Sequence, residues 1–457
     1  MLDDSRDRAP TRTGAVNRHN PTSHAIPQRF PATSQDLFNY VARLFHDSQI
    51  RCVVRMAGRI DAERMVRAIR LTLDAEPVLG CRLVEHPWRP YFERRDDLDR
   101  LPLCPVIEGG DLEAALWDFV TAPVETRVGP LVHARIFRGE SDTLCVKLDH
   151  AGADGAGTIQ YLSLLATTYR ELSANPEYRP PYQGHLSRSQ RQVFRRVGPL
   201  AVLSSLQIMP GAQTCSLPAY GDDRSKRAFA VRQIDAAGMQ SIHEYRRRHG
   251  ASFNDLLVTS LYRALFATLD PPPTRPCLLT LPVNLRRYLP PGRPFPVANL
   301  SGGNLLALAH RPGERYEDTL ARVQAITQRF KRSFPGLMGA LLTGLWFMPG
   351  FALGRWTMHQ LIGRQMAQGR MAPFLSNVGI IDDRLVDFGQ EMADVFGLGL
   401  ISFPPGINVA ASTFQGVLTL TAGYCPLATE LGIVEGFLDR ITRELVGESS
   451  AGINWQN

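Results

Sequence analysis

A histidine and an aspartate four residues apart, His150 and Asp154, are the residues of this chain that are best placed to do chemistry. They lie in the segment LDHAGADG, between an apolar run typical of a strand and a run with helical spacing. A neutral imidazole at the end of a strand can accept a proton from an alcohol, an amine or a thiol. Asp154 is placed to anchor the turn, and Gly155 permits a tight backbone before the helix. The alternative is that His150 only closes the loop.

The elements that must position this motif are those of an α/β protein. Residues 131–137 and 143–148 have the pattern of two strands joined by a short hairpin loop, and residues 158–172 have that of a helix. A second α/β pattern follows after residue 227, with a helix over 253–269 and a strand over 277–284. The motif is therefore predicted to lie between a hairpin and a helix, in the first of two α/β halves.

Composition divides the chain into four parts. The first 28 residues lack apolar periodicity and are predicted to be a disordered tail. A segment rich in proline, glycine and arginine separates the two α/β halves and is predicted to be a crossover linker. The predicted parts are the tail (1–28), the N-terminal lobe with the motif (29–175), the crossover (176–226) and the C-terminal lobe (227–457).

In their order along the chain, several segments resemble those of the H-x-x-x-D acyltransferase superfamily. This superfamily includes chloramphenicol acetyltransferase, peptide-synthetase condensation domains, and stand-alone members such as the phthiocerol dimycocerosyl transferases and alcohol acetyltransferases. The resemblance extends from about Phe30 to Val446. It is carried by the motif segment and by DAEPVLG (74–80), VGPLVHAR (128–135), GASFNDL (250–256), PVNLRR (282–287) and SNVG (376–379).

The resemblance implies a fold of two chloramphenicol-acetyltransferase-like lobes. Each lobe would be a mixed sheet packed with helices, and an active-site tunnel would lie at their interface. His150 would be the general base that deprotonates the acceptor. Asp154 would be structural and would pair with Arg286, or alternatively with Arg287, through a bidentate contact between the lobes.

The resemblance also implies the substrates. An acyl thioester, on coenzyme A or on the phosphopantetheine of an acyl-carrier protein, would enter from one face and the acceptor from the other. Gly155, Ser376 and Asn377 are the predicted substrate-binding residues, with Ser376 or Asn377 holding the oxyanion of the tetrahedral intermediate. Because the thioester is already activated, we expect neither a permanently bound cofactor nor a metal.

One position departs from the family pattern. Condensation domains usually carry a further histidine directly before the catalytic one, and Asp149 takes its place here. This favours a stand-alone acyltransferase that acylates a hydroxyl of a lipid-like or natural-product acceptor. The alternatives are an amide-forming condensation enzyme of a nonribosomal peptide pathway, and a non-catalytic scaffold that binds carrier proteins.

The chain is basic, with a net charge of +7 and a pI near 9.1, and all but three of its 51 basic residues are arginine. This charge admits acidic partners such as coenzyme A, a carrier protein or anionic lipid, although the codon usage of a GC-rich genome explains the arginines at least as well. We expect no nucleic-acid partner. Exposed charge runs are usually only solvated, and we favour that interpretation for four arginines of the crossover: Arg188, Arg191, Arg195 and Arg196.

The seven cysteines are scattered, without a C-x-x-C pair or the spacing of zinc ligands. No disulfide framework is therefore predicted. The chain opens without the basic and apolar regions of a secretory signal, so we expect a reducing, cytoplasmic location. Since two lobes complete the implied site within one chain, we expect a monomer.

Residues 335–354 form an uncharged stretch with basic flanks. Its length would suit a membrane span, but Pro349 would interrupt a single helix. We predict two short apolar helices that either line an acyl channel or contact a bilayer surface, which would add peripheral membrane contact to the cytoplasmic location. A plain buried core segment is an equally good interpretation.

Overall fold

The computed structural model describes residues 26–205, 212–447 and 453–454, so residues 1–25 of the predicted tail lie outside it. The strands are β1 (Arg29–Pro31), β2 (Gln49–Met56), β3 (Cys81–Val84), β4 (Tyr91–Arg94), β5 (Val106–Glu108), β6 (Val132–Arg138), β7 (Asp142–Asp149), β8 (Gln213–Thr214), β9 (Ala228–Ile234), β10 (Cys277–Asn284), β11 (Ser301–Leu308), β12 (Phe374–Ile380), β13 (Met392–Leu398), β14 (Asn408–Phe414), β15 (Val417–Tyr424) and β16 (Ile453–Asn454). The α-helices are α1 (Ser34–Val41), α2 (Ala62–Ala75), α3 (Leu112–Thr121), α4 (Gly155–Ala174), α5 (Arg191–Val197), α6 (Pro199–Ser204), α7 (Ala236–Arg248), α8 (Phe253–Leu269), α9 (Tyr316–Arg332), α10 (Leu337–Trp346), α11 (Phe351–Ala367) and α12 (Leu431–Val446).

Two mixed β-sheets form the framework. The first has five strands in the order β13-β2-β7-β6-β5, in which β5 runs parallel to β6 and the other neighbours are antiparallel. The second has the order β11-β10-β12-β14-β15-β9-β16 with β8 beside β10, and its central strands β10, β12 and β14 run parallel. Strands β1, β4 and β3 make a small third sheet. The predicted α/β fold, with mixed sheets packed by helices, is confirmed.

One strand crosses the predicted division of the chain at residue 227. Strand β13 comes from the C-terminal half, yet it pairs with β2 at the edge of the five-stranded sheet, with Val395 opposite Val54. Neither β13 nor β11 was predicted as a strand. Pairing between segments so far apart in sequence leaves no local pattern beyond the residues of the strand itself.

Each large sheet has its own core, and the first core fixes the strand that carries the motif. Helix α2 packs on α4 because its apolar residues Met65, Ile69 and Leu73 recur at every fourth position. Strand β7 is buried along nearly its whole length, from Asp142 to Asp149. His150 therefore follows a rigid strand rather than a free loop.

The apolar stretch 335–354 is broken into two helices, but only one of them is short and apolar as predicted. Helix α10 lies wholly within the stretch, whereas α11 continues to Ala367 and includes Arg355 and Arg364. Helices α10 and α11 are bent by 117° relative to each other, and Gly350 at the break has a φ of 110°, a conformation that favours glycine. Within the described ranges, no single helix is long and apolar enough to cross a membrane, although this bent pair passes the same test of length and composition. The stretch is not a plain core segment, since Met348 is 75% exposed.

The sequence analysis predicted no disulfide framework, and the structure has one disulfide. Cys215 and Cys277 form a disulfide, while Cys52, Cys81, Cys104, Cys145 and Cys425 are free and buried. The two bonded residues are 62 positions apart, one just after β8 and the other opening β10. Because β8 and β10 pair in parallel, their neighbouring residues meet in a way that sequence spacing does not reveal.

Candidate active site

The imidazole of His150 is held at the end of β7 by its Nδ1 atom. Nδ1 lies 2.9 Å from the carbonyl oxygen of Ala153 and 3.1 Å from the amide nitrogen of Asn39. That amide also donates to the backbone oxygen of His150 at 3.1 Å and to Oδ1 of Asn299 at 2.9 Å, which accounts for both of its hydrogens. The network therefore assigns the proton to Nδ1, which donates to Ala153, and leaves a lone pair on Nε2.

The other ring nitrogen is available for proton transfer. In the part of the chain that the structure describes, Nε2 of His150 makes no hydrogen bond, and the residue is partly exposed. Burial lowers the pKa of His150 below its usual value, and the Asp154 carboxylate partly opposes this shift. The imidazole is therefore neutral at physiological pH, which is the form that accepts a proton.

A second histidine, which the sequence analysis missed, lies beside the first. The rings of His46 and His150 are 6.4 Å apart between centroids, and their planes are inclined by 28° to each other. His46 is buried, and burial keeps its pKa well below the usual range, so it is neutral as well. The two meet because β2 pairs with β7 so that Gln49 lies opposite Asp149. The sequence around His46 has no motif that would predict this pairing of β2 with β7.

Asp154 has a structural position. Its buried carboxylate caps helix α4 by accepting a hydrogen bond from the backbone nitrogen of Gly157 at 2.8 Å. Two contacts from the C-terminal half complete its shell: the backbone nitrogen of Leu300 at 2.7 Å, and Nη1 of Arg286 at 3.0 and 3.1 Å from the two carboxylate oxygens. Both carboxylate oxygens of Asp154 thus accept hydrogen bonds that hold the loop in place.

The ion pair differs from the expected fork. Nη1 of Arg286 contacts both oxygens of Asp154, while Nη2 donates to the backbone oxygen of Ala298 at 2.9 Å. The pair is therefore not bidentate: one nitrogen binds the carboxylate and the other binds the neighbouring backbone. Arg287, the alternative partner, is exposed and lies over the ring of Tyr288.

Asn299, from the C-terminal half, binds the backbone of the motif loop at His150 and Ala151. Its fully buried amide nitrogen lies 2.8 Å from the backbone oxygen of His150, 3.1 Å from that of Ala151 and 2.8 Å from Oδ1 of Asp36. The sequence analysis did not single out Asn299. Its one signal is a polar amide within the apolar run VANL, because buried polar groups require hydrogen-bond partners.

The expectation that the four crossover arginines are solvated is wrong for Arg188. It is not solvated: Nη2 donates to the backbone oxygen of Gly152 at 2.9 Å and to Oδ1 of Asp36 at 3.2 Å, and Nη1 donates to the backbone oxygen of Val297. The crossover is thus a third segment that holds the motif loop. The other three arginines are exposed, as the solvation interpretation expects: Arg191, Arg195 and Arg196.

The position of Asp149 is also structural. Its buried carboxylate accepts hydrogen bonds from Oγ1 of Thr126 at 2.6 Å, from Nη2 of Arg43 at 2.5 Å and from the backbone nitrogen of Ala151 at 2.9 Å. A carboxylate with three donors, one of them charged, belongs to the construction of the loop. It is not a residue left without partners after a lost function.

The predicted substrate-binding residues lie around the start of α4 and on β12. A side chain added at Gly155 would come 3.9 Å from Cγ2 of Val378, so β12 passes close to the motif helix. Ser376 is partly buried on that strand, and Asn377 is exposed. The Oδ1 atom of Asn377 accepts a hydrogen bond from the backbone nitrogen of Gly379 at 2.9 Å, which leaves its amide nitrogen for another partner.

The sequence matches no protein-family model and no curated protein, but solved structures share its fold. Polyketide synthase associated protein 5 from Mycobacterium tuberculosis is 17% identical, with a TM-score of 0.61 over 93% of this chain and 100% of that one. The first condensation domain of the calcium-dependent antibiotic synthetase, solved with a substrate analogue, is 16% identical, with a TM-score of 0.67 over 92% and 96%. Trichothecene 15-O-acetyltransferase from Fusarium sporotrichioides is 11% identical, with a TM-score of 0.66 over 92% and 95%.

This chain therefore has the two-lobed fold of condensation domains and related acyltransferases, as the resemblance predicted. Its structural neighbours include both condensation domains and an acetyltransferase, so the fold fits both classes of enzyme that the sequence analysis considered.

The contact between Asp154 and Arg286 predicts unequal effects of two neighbouring substitutions. Arg286→Ala leaves a buried carboxylate without its charged partner and is expected to lower the free energy of unfolding by about 3–5 kcal/mol. Arg287→Ala removes an exposed side chain and is expected to change it by less than about 0.5 kcal/mol. Urea unfolding of both variants measures the difference, and equal losses would contradict the assignment.

The buried carboxyl of Glu76 predicts a pH-dependent stability. Glu76 accepts a hydrogen bond from the backbone nitrogen of Val297 at 2.9 Å, and burial raises its pKa to about 7. As pH rises from about 4.5 to about 7, the unfolded state loses this proton while the folded state retains it, so the folded state is destabilised by about 3 kcal/mol in total. The loss is complete above the folded-state pKa.

We therefore expect Glu76→Gln to gain stability relative to the native chain as pH rises from 5 to 8. The exposed Glu140→Gln is the control and is expected to show no such trend. Unfolding free energies across this pH range test the prediction, which fails if the difference between the Glu76 variant and the native chain is independent of pH.

Proposed function

We propose that this protein is an acyltransferase that moves an acyl group from a thioester to a hydroxyl, with His150 as the general base. The observation that carries the proposal is the state of its imidazole: Nδ1 is tied to Ala153, and Nε2 is left without a partner among the described residues. A base needs a free lone pair in a fixed place, and the junction of β7, Asn299 and Arg188 supplies that rigidity.

The proposed reaction needs one base and one oxyanion site. Nε2 takes the proton of the acceptor hydroxyl while that oxygen attacks the thioester carbonyl carbon, which forms a carbon–oxygen bond and a tetrahedral intermediate. When the intermediate collapses, the carbon–sulfur bond breaks and the imidazolium returns its proton to the leaving sulfur. The products are an ester and a free thiol. We assign the oxyanion to the amide nitrogen of Asn377, with Ser376 as the alternative donor.

The substrates belong to the same proposal. The donor is an acyl group on coenzyme A or on an acyl-carrier protein, which enters a tunnel between the lobes opposite the acceptor. The acceptor is a lipid-like or natural-product alcohol, a choice supported by the apolar helices α10 and α11. An amide-forming condensation enzyme is the second candidate, because condensation domains share the fold. A scaffold without catalysis is the third candidate, and the intact set of His150, Asp154 and Arg286, with the last two in contact, speaks against it.

Removing the base is expected to abolish most of the activity. His150→Ala should lower the rate of ester formation by about 10²–10⁴-fold, the usual contribution of a positioned general base. His243→Ala, which removes an exposed histidine far along the chain, is the control and should retain the native rate. Native turnover by the His150 variant would rule out this residue as the base.

The pH profile follows from the lowered pKa of His150. Because the neutral imidazole is the active form, kcat/KM should rise with pH and reach a plateau, with its midpoint below the usual histidine value of about 6.5. A rate that falls as pH rises through this range would contradict proton acceptance by His150.

The two enzyme candidates differ in donor and product. Mass spectrometry of reactions with one acyl group, presented either on coenzyme A or on a carrier protein, and with a long-chain alcohol or an amino acid as acceptor, separates them. We expect the ester of the alcohol. An amide formed from the carrier-bound donor alone would favour the condensation enzyme.

A further inference from the structure

Five large apolar side chains stand exposed around the bend between α10 and α11. We call them the apolar tip: Leu342, Leu345, Met348, Leu353 and Trp356, which are 53%, 49%, 75%, 48% and 60% exposed. Single exposed apolar residues are common on protein surfaces and need no explanation. Five within fifteen residues, at the point where two helices meet, are an exposed patch of the kind that marks an interaction surface.

The inner faces of the same helices are firmly packed, so the apolar tip is not a poorly folded edge. Phe347, Phe351 and Met358 are buried in one cluster with residues of α1. The start of α11 is also fixed through its backbone, because Ala352 donates to the oxygen of Pro87 at 2.8 Å and Phe351 donates to that of Trp88 at 3.3 Å. The patch therefore has a defined place on the molecule.

The exposed face of α11 changes character along its length. Leu353, Trp356, Gln360 and Arg364 are exposed and share one face of the helix by their spacing. On this face Leu353 and Trp356 lie next to the bend, and Gln360 and Arg364 lie farther from it. The exposed Arg355 and Leu361 lie to either side of the face. This order matches an amphipathic element that inserts its apolar end between lipid chains and leaves its charge at the headgroups.

The charge of the surrounding segment selects the partner. From residue 319 to residue 381 the chain has no aspartate or glutamate but seven arginines and lysines. Two of these cations are paired, Arg322 with Glu314 and Arg355 with Glu85, and Lys331 lies 4.0 Å from Asp255. The other four are exposed and form no ion pair with any described residue: Arg329, Arg332, Arg364 and Arg370.

We propose that the apolar tip docks on an anionic lipid bilayer, with Met348 and Trp356 in the interface and Arg364, on the same face of α11 as Trp356, at the lipid phosphates. A long segment without acidic residues complements a negative surface, and the exposed apolar side chains supply the insertion that charge alone does not. Docking does not require that His150 catalyse acyl transfer. It would place the protein where a lipid-like acceptor is concentrated.

Sedimentation of the full chain with vesicles tests the proposal. We expect binding to vesicles of phosphatidylcholine mixed with phosphatidylglycerol, weaker binding to phosphatidylcholine alone, and weakening by salt. The double variant Met348→Glu/Trp356→Glu should bind the mixed vesicles about tenfold more weakly, because both changes remove apolar area and add repulsive charge. Arg364→Gln/Arg370→Gln should lower binding to the mixed vesicles while leaving binding to phosphatidylcholine unchanged.

The control is Leu427→Glu/Leu431→Glu, which alters two exposed leucines outside this segment and should bind like the native chain. The proposal is overturned if the native chain binds neither vesicle, or if the apolar-tip variant binds as well as the control. A native dimer that the apolar-tip variant dissociates, without vesicle binding, would assign the surface to a second copy. Turnover of a water-soluble acceptor, measured on the same variants, separates a failure of docking from a failure of acyl transfer.

Discussion

The contact between the two halves of the chain at the motif depends on the buried carboxylate of Asp154. This carboxylate lies between the two halves of the chain, and a carboxylate in that position is tolerated only when donors surround it. The donors come from both halves: the backbone of Gly157 from the first, and Leu300 and Arg286 from the second. Separating the halves would remove the charged partner Arg286 and the backbone donor Leu300 from this carboxylate. The motif is therefore one of the places where the two halves are held together, in addition to the pairing of β13 with β2.

The same contact determines what His150 can do. The segment that brings Leu300 to Asp154 also inserts Asn299 behind the backbone of His150, and Arg188 of the crossover holds Gly152. Each of these groups bonds to the loop and none of them occupies Nε2. The polar network therefore rigidifies the base without consuming its lone pair. Such preorganisation by surrounding groups is what a catalytic residue needs to act in a fixed direction.

The sequence predicted the parts of the site that are local or that follow a family pattern. The strand that ends before His150 is an apolar run, and the helix that follows it has Asp154 as its N-cap, so both can be read directly from the sequence. The break between α10 and α11 was predicted from Pro349, which would interrupt a single helix. The choice of Arg286 came from the resemblance, and the structure places that residue on Asp154.

The missed features depend on contacts between distant segments. Strand β13 joins a sheet of the other half, and His46 reaches His150 through the pairing of β2 with β7. Asn299 and Arg188 act through backbone oxygens of the motif loop, and backbone acceptors have no signature in a sequence. The expected solvation of Arg188 was wrong for this reason. A run of arginines looks the same whether it faces water or a buried carbonyl.

The role of His150 as a base is tested most directly by its protonation state, measured by nitrogen-15 NMR of histidine-labelled protein with the His150→Ala variant to assign its signals. We predict a neutral ring at pH 7 with the proton on Nδ1, an unprotonated Nε2, and a pKa below the ordinary histidine value. A ring that is protonated at pH 7, or one that carries its proton on Nε2, would contradict it.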